Sequence, residues 1–197
     1  MKQVNNKFIR TLYGSVKHVT DYSHFAILKI AVNEEDLRRR YENLAAKHNR
    51  DTLTKALCDS GFDIIFPKHT IFHGQDSNTV DFEIHAEMLH CETSSDTITI
   101  SPFFLIPRSG ISKYPLMVSN HIGVINSHYK GSIKGAFRNF FSCSVEKDTS
   151  LLQICHPSLC PIITVISNTD ELTNVSPMSP QKIMYKYPVD MTQYSLD

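Results

Sequence analysis

The stretch Leu105–Gly131, LIPRSGISKYPLMVSNHIGVINSHYKG, holds two groups of residues with chemistry in them. Pro107-Arg108-Ser109-Gly110 sets a guanidinium, a hydroxyl and an unhindered backbone side by side, which suits phosphate oxygens. Gly123-Val124-Ile125-Asn126-Ser127-His128-Tyr129-Lys130-Gly131 reads as a β-hairpin: an apolar run enters, a polar turn carries one aromatic, and a glycine closes it. Other reactive side chains are scattered. His69 and His73 are four apart, with His85, His90 and Cys91 nearby, but this spacing matches no closed zinc ligand set. They read as surface or core histidines. Cys155 and Cys160 flank His156-Pro157-Ser158-Leu159, and no His–Asp arrangement marks either as a nucleophile. They read as cysteines of apolar strands.

These groups need a scaffold. His24–Val32 is nearly continuous in apolar residues and reads as a strand. Asn33 then suits a helix N-cap, with Glu34, Glu35 and Asp36 in the first turn, where negative charge complements the helix dipole. Leu37, Tyr41, Leu44, Ala45 and His48 share one face of a helix ending near Asn49. Arg38, Arg39, Arg40 and Lys47 form its solvent side, with an anionic partner as the alternative. Residues 1–22 have no clear period and read as an arm or a lone strand. From Leu53 onward, short apolar runs are broken by polar turns. Strands are expected at Phe62–Phe66, Val80–Leu89, Thr97–Ile100, Phe103–Ile106, Leu116–Val118, Gly123–Ile125, Ser132–Phe137, Leu151–Cys155 and Ile162–Ile166. Strands at this spacing predict an all-β antiparallel sandwich or barrel. The expected division is a strand-and-helix extension over 1–52, a barrel over 53–166 and a C-terminal arm over 167–197. The arm carries Pro177, Pro180 and Pro188 with Tyr185, Tyr187 and Tyr194. Disorder and an extended docking arm both fit it, and the aromatics favour the arm.

Composition narrows the class. In 197 residues, apolar content of 41% and charged content of 20% are those of a globular protein with one sizeable core. Formal net charge is zero, so no global basic field attracts nucleic acid. No apolar stretch reaches the roughly 18 residues of a membrane span. Five irregularly spaced cysteines and a polar N-terminus point to an intracellular, reducing compartment with free thiols. The near-complete apolar character of Leu151–Ile154 and Ile162–Ile166 predicts burial on both faces, part of it against other subunits.

The PRSG segment followed by the GVINSHYKG run closely resembles the trimeric dUTPase (deoxyuridine triphosphate nucleotidohydrolase) family, and the intervening ISKYPLMVSN looks most like its forms from large DNA viruses. The resemblance runs from about Cys58 to Ile166. It implies a distorted jelly-roll barrel with the helix at about 34–49 packed outside, and a homotrimer. It implies that Asp63, in Asp59-Ser60-Gly61-Phe62-Asp63-Ile64, helps hold a water-ligated Mg²⁺, and that Arg108, Ser109 and Gly110 meet phosphates. It implies that deoxyribose packs on Tyr129, and that Gln153 is the Gln of the fourth motif, with Ser150 where an Arg usually stands. At the position of the water-orienting Asp stands Asn126, whose amide cannot take a proton at neutral pH. His128, two residues on, is ionisable and is the alternative base. The family's Gly-rich lid has no counterpart in the tail, which has no Gly beyond Gly135 and no Arg beyond Arg138. Two functions therefore stand. One is a catalytically degenerate dUTPase-like protein serving as a trimeric structural or binding protein, a virion component or host-cytoplasmic protein with other viral structural proteins as partners if viral. The other is an atypical active dUTP diphosphatase yielding dUMP and pyrophosphate.

Overall fold

The computed structural model describes residues 4, 6–54, 59–74, 77–167 and 172. The expected arm over 167–197, apart from Ser167 and Leu172, and Cys58 lie outside these residues. In chain order the elements are α1 (Lys7–Val19), β1 (His24–Val32), α2 (Glu35–Thr54), β2 (Gly61–Ile64), β3 (Thr70–Phe72), β4 (Ser77–Asp81), β5 (Ile84–Glu92), β6 (Thr97–Ser101), β7 (Phe103–Pro107), a 3₁₀ turn (Ser109–Lys113), β8 (Leu116–Val118), β9 (Gly123–Ile125), β10 (Lys134–Asn139), β11 (Cys143–Val145), β12 (Leu152–Cys155) and β13 (Ile162–Ser167). The fold is all-β in class, with two helices added. Its strands form four sheets, ordered β13-β1-β5-β6, β4-β10-β8, β11-β3 and β2-β12-β7-β9. These sheets share one main core, in which Phe66, Phe72, Phe82 and Phe137 pack ring against ring. Their ladders do not close into a single barrel among the described residues.

The strand β1 is not an appendage. It lies between parallel β13 (Ala26↔Ile162 to Ala31↔Ser167) and antiparallel β5 (His24↔Glu92 to Val32↔Ile84). The pattern change near residue 52 thus marks no break in the sheet. One face of this sheet meets the main core. The other is covered by α1, a helix where an arm or lone strand was expected. Asn6 caps it by accepting the Ile9 N–H, and Ile9, Tyr13 and Val16 fall on one face at i, i+4 and i+7. They pack on Phe25, Ile27, Leu89, Ile98 and Ile163. Burial of such side chains contributes about 1.5–3 kcal/mol each. Within the chain, Ile163 of β13 is thus buried against α1 and Ile162 against the main core, while Val165 and Ile166 stay half-buried.

The second helix starts one residue later than expected. Glu34, not Asn33, caps it: its carboxylate accepts the N–H groups of Asp36 and Leu37, and its carbonyl accepts from Arg38. Leu37, Tyr41 and Ala45 enter the main core. Asn49 accepts the Thr164 N–H at 2.8 Å and donates to the Thr164 carbonyl at 2.7 Å, so the helix covers the open edge of β13. Arg40 is no solvated cation. It pairs with Asp36 and Asp148 and donates to the Pro67 carbonyl. The Tyr41 hydroxyl, whose pKa burial pushes up, accepts the Ile65 N–H at 3.1 Å. Tyr41→Phe orphans that buried donor and is expected to cost about 1–3 kcal/mol in denaturant unfolding, with the m-value unchanged. No loss of stability would show that the bond contributes nothing.

Further corrections concern short elements. The run Val80–Leu89 is two strands, β4 and β5, split at Glu83, whose φ is +59°. The hairpin expected over Gly123–Gly131 does not form as a strand pair. Instead β9 pairs with β7, whereas β10 pairs with β4 and β8. No helix among the described residues is long and apolar enough to cross a membrane.

Candidate functional site

The sheet β2-β12-β7-β9 places Gln153 directly opposite Asp63 on one side and Ile106 on the other. In β2 and β12 the apolar residues Phe62, Ile64, Leu152 and Ile154 are buried, and the alternation turns Asp63 and Gln153 to the other, half-open face. Arg108 follows β7, its N–H bonded to the Leu151 carbonyl, and its Nε reaches Asp63 Oδ1 at 2.8 Å. Asp63, Arg108 and Gln153 thus meet in one open cleft of about 440 Å³. A close approach fixes the floor: a Cβ on Gly61 would stand 2.2 Å from Gln153 Oε1. An alanine there must push the amide aside.

Helix α2 supplies Lys47, His48 and Asp51 to the lining, and Asp59 joins them. Lys47, read from sequence as part of a solvated face, therefore borders the cleft. His48 sits edge-on to Phe62 at 5.2 Å, with Nε2 3.0 Å from the Ile162 carbonyl. A carbonyl can only accept, so Nε2 carries a proton. Burial pushes the His48 pKa down, so the ring is neutral near pH 7 with an unprotonated Nδ1. Burial also raises the Asp63 carboxyl, against the opposing pull of Arg108 and then His48. The Cys155 thiol is pushed up to about 11 by burial and then by Asp63, so no thiolate nucleophile stands here. Among the described residues, the lining carries three carboxyl side chains (Asp51, Asp59, Asp63) and two basic ones (Lys47, Arg108).

The remaining expected site residues lie apart from these. Ser109 and Gly110 open the 3₁₀ turn, and among the described residues nothing comes within 4 Å of a Cβ built on Gly110. Asn126 and His128 are exposed, and neither lines the cleft. The Asn126 carbonyl accepts the Tyr129 N–H, closing a tight turn. The Tyr129 ring folds back over Gly131, where a Cβ would lie 2.5 Å from the phenol oxygen, and its hydroxyl donates to the Ser132 carbonyl. This loop is fastened to β5 by His85 Nδ1, 3.0 Å from the Lys130 carbonyl, and by Lys130 Nζ, 3.7 Å from Glu87.

A second cluster was not legible in the sequence. His90 of β5 stacks on His156 at 4.9 Å, and Cys160 joins them. Burial, then His90 and His24, push the His156 imidazole down to about 4. His69 and His73 take no part: His69 is 3.5 Å from Glu146 instead.

No family model matches the chain, and no curated protein matches it. Among solved structures, native dUTPase of EIAV is similar, with 17% identity over 64% of this chain and 88% of that one, and a TM-score of 0.39. A mutant dUTPase from phage phi11 of S. aureus, a protein that coordinates a structural Mg(II) ion, is similar with 16% identity over 60% and 84% of the two chains, and a TM-score of 0.39. Likeness at this level says nothing of activity.

Proposed function

We propose that the chain is a dUTPase-like protein that holds a deoxyuridine nucleotide without turning it over, and that it acts as a homotrimeric structural or binding protein, in a large DNA virus as a virion component. The observation that carries this reading is the convergence of Asp63, Arg108 and Gln153 in one cleft, while Asn126, at the position of the resemblance's water-orienting Asp, is an uncharged amide outside it. The guanidinium of Arg108 supplies forked donors to phosphate. Asp51, Asp59, Asp63 and the Gln153 amide are the oxygen donors that a hard dication takes, so the residues fit Mg²⁺. Bound there, with Asp63 holding it through water, Mg²⁺ would supply positive charge to offset the phosphates.

Ile122 and Val124, exposed at the edge strand β9, and Phe140 and Phe141, exposed beside β10, support assembly. Because Tyr129 stands outside the cleft within one chain, copies of the chain would have to bring the two together. Light scattering is expected to give three chains per particle, and a concentration-independent monomer would overturn that part of the reading. The free thiols of Cys91, Cys143 and Cys155 support a reducing compartment, the host cytoplasm or virion interior of a virus.

Arg108→Ala removes the main phosphate donor. It is expected to weaken a non-hydrolysable dUTP analogue by about 10–100-fold in calorimetry, equivalent to about 1.4–2.8 kcal/mol. An unchanged affinity would place the nucleotide elsewhere. One observation favours the second reading, an atypical active dUTP diphosphatase: the neutral His48 in the cleft wall is a base of suitable type. That reading requires turnover in the unaltered protein and its loss in His48→Ala.

A further inference from the structure

The loop between β12 and β13 carries His156 and Cys160, both buried, and folds them against His90 near the end of β5. Each of these three offers one ligand atom, and the three atoms lie within 4.8 Å of one another. Zinc bonds of about 2.0–2.1 Å to nitrogen and 2.3 Å to sulfur put tetrahedral ligand atoms roughly 3.3–3.7 Å apart. A contraction of about 1 Å, within reach of small side-chain rotations, would therefore close the set.

Three further observations point the same way. Among the described residues, the buried His90 Nδ1 has no hydrogen-bond partner, an arrangement with a cost that a ligand would remove. The His156 ring is held from both sides: Nε2 lies 3.1 Å from Ser101 Oγ, and Nδ1 lies 2.7 Å from Ser158 Oγ. Nδ1 accepts the Ser158 N–H at 3.1 Å, so Nε2 carries the proton; a metal on Nδ1 would displace the Ser158 contacts, while Nε2–H keeps Ser101 Oγ as the outer contact that orients a ligating imidazole. Ser101 Oγ can accept that proton, since its own hydroxyl donates to the Pro102 carbonyl. Finally, the loop holds Leu159 at φ +54°, a conformation that costs a non-glycine residue energy and persists only where the surroundings impose it.

We infer that His90, His156 and Cys160 form a Zn²⁺ site, with water in the fourth position, that clamps the β12–β13 loop onto β5. Two imidazoles and one thiolate are borderline-to-soft donors and select zinc over the hard Mg²⁺. Cys160 loses its proton to solvent as the metal binds. The clamp also bears on the cleft, because Leu159 of the same loop lines it. The site is separate from the nucleotide donors and does not depend on how the cleft is read.

The test uses the full chain, stripped with a chelator and titrated with Zn²⁺ against a chromophoric competitor. The expected result is one Zn²⁺ per chain and a rise in melting temperature, with no such effect from Mg²⁺. Cys160→Ser and His90→Gln, both conservative in shape, are expected to weaken Zn²⁺ by about a hundredfold or more. His69→Ala and His73→Ala should leave it unchanged. Co²⁺ gives a second readout independent of stability: a thiolate-to-cobalt charge-transfer band that Cys160→Ser abolishes. Absence of stoichiometric Zn²⁺, or binding that survives both Cys160→Ser and His90→Gln and so belongs to surface histidines, would overturn the assignment. Loss of Zn²⁺ uptake in Arg108→Ala would tie the metal to the cleft instead and overturn it too.

Discussion

Incubated with dUTP and Mg²⁺, the protein is expected to release pyrophosphate two to four orders of magnitude more slowly than an enzyme turning over at roughly 1 per second, the loss typical when positioned acid–base help is absent. The reason is chemical. Asn126 can accept a hydrogen bond from water but cannot take its proton, and His128 is exposed beside it rather than aimed into the cleft. Asn126→Asp restores a carboxylate and is expected to give a modest gain above background. Full turnover is not expected, because the tail as far as residue 197 holds no glycine with which to wrap phosphates. Pyrophosphate release near 1 per second by the unaltered protein would refute the degenerate reading. Full activity in Asn126→Asp would show that the amide is its sole defect.

The largest stability effect is expected at Glu87. It lies opposite Lys29 in the β1–β5 ladder, and both are almost fully buried, at 4% and 5% exposure. Glu87 Oε1 is 3.9 Å from Lys29 Nζ, and Oε2 is 3.7 Å from Lys130 Nζ. Glu87→Ala leaves the Lys29 ammonium in the interior without this carboxylate, and it cuts one tie on the Tyr129 loop. Breaking such a pair typically costs about 3–5 kcal/mol, or roughly 6–20 °C in melting temperature for a chain of this size. The double change Lys29→Met with Glu87→Met should recover most of the loss, because both charges leave together. A single-variant cost below about 1 kcal/mol, on the scale of an exposed pair, would mean that the interior does not depend on it.

The elements that the sequence disclosed are those whose signal is local and continuous. His24–Val32 matches β1 to the residue because both of its faces are buried and its apolar run is unbroken. Leu116–Val118 and Gly123–Ile125 also match, since prolines and glycines punctuate them. By contrast β3 and β11 are three residues each, too short to show a period. The α1 helix was obscured by Gly14 and by charged residues around the Ile9, Tyr13 and Val16 stripe. In the cleft, Asp63, Arg108 and Gln153 were legible through motif order, whereas Lys47 and His48 were not, because only the docking of α2 on the sheet turns them there. His48 was on the face read as inward, which was the one available clue. The His90, His156 and Cys160 cluster joins a strand to a loop more than sixty residues away, and no spacing rule links such positions.

Calorimetric titration of the full chain with a non-hydrolysable dUTP analogue, with and without Mg²⁺, tests the central claim most directly. The account predicts saturable binding of one analogue per chain that requires Mg²⁺, because carboxyl oxygens of the kind a hard dication takes stand beside Arg108 in the cleft. Absence of binding heat in Mg²⁺, or equal affinity in its absence, would contradict it.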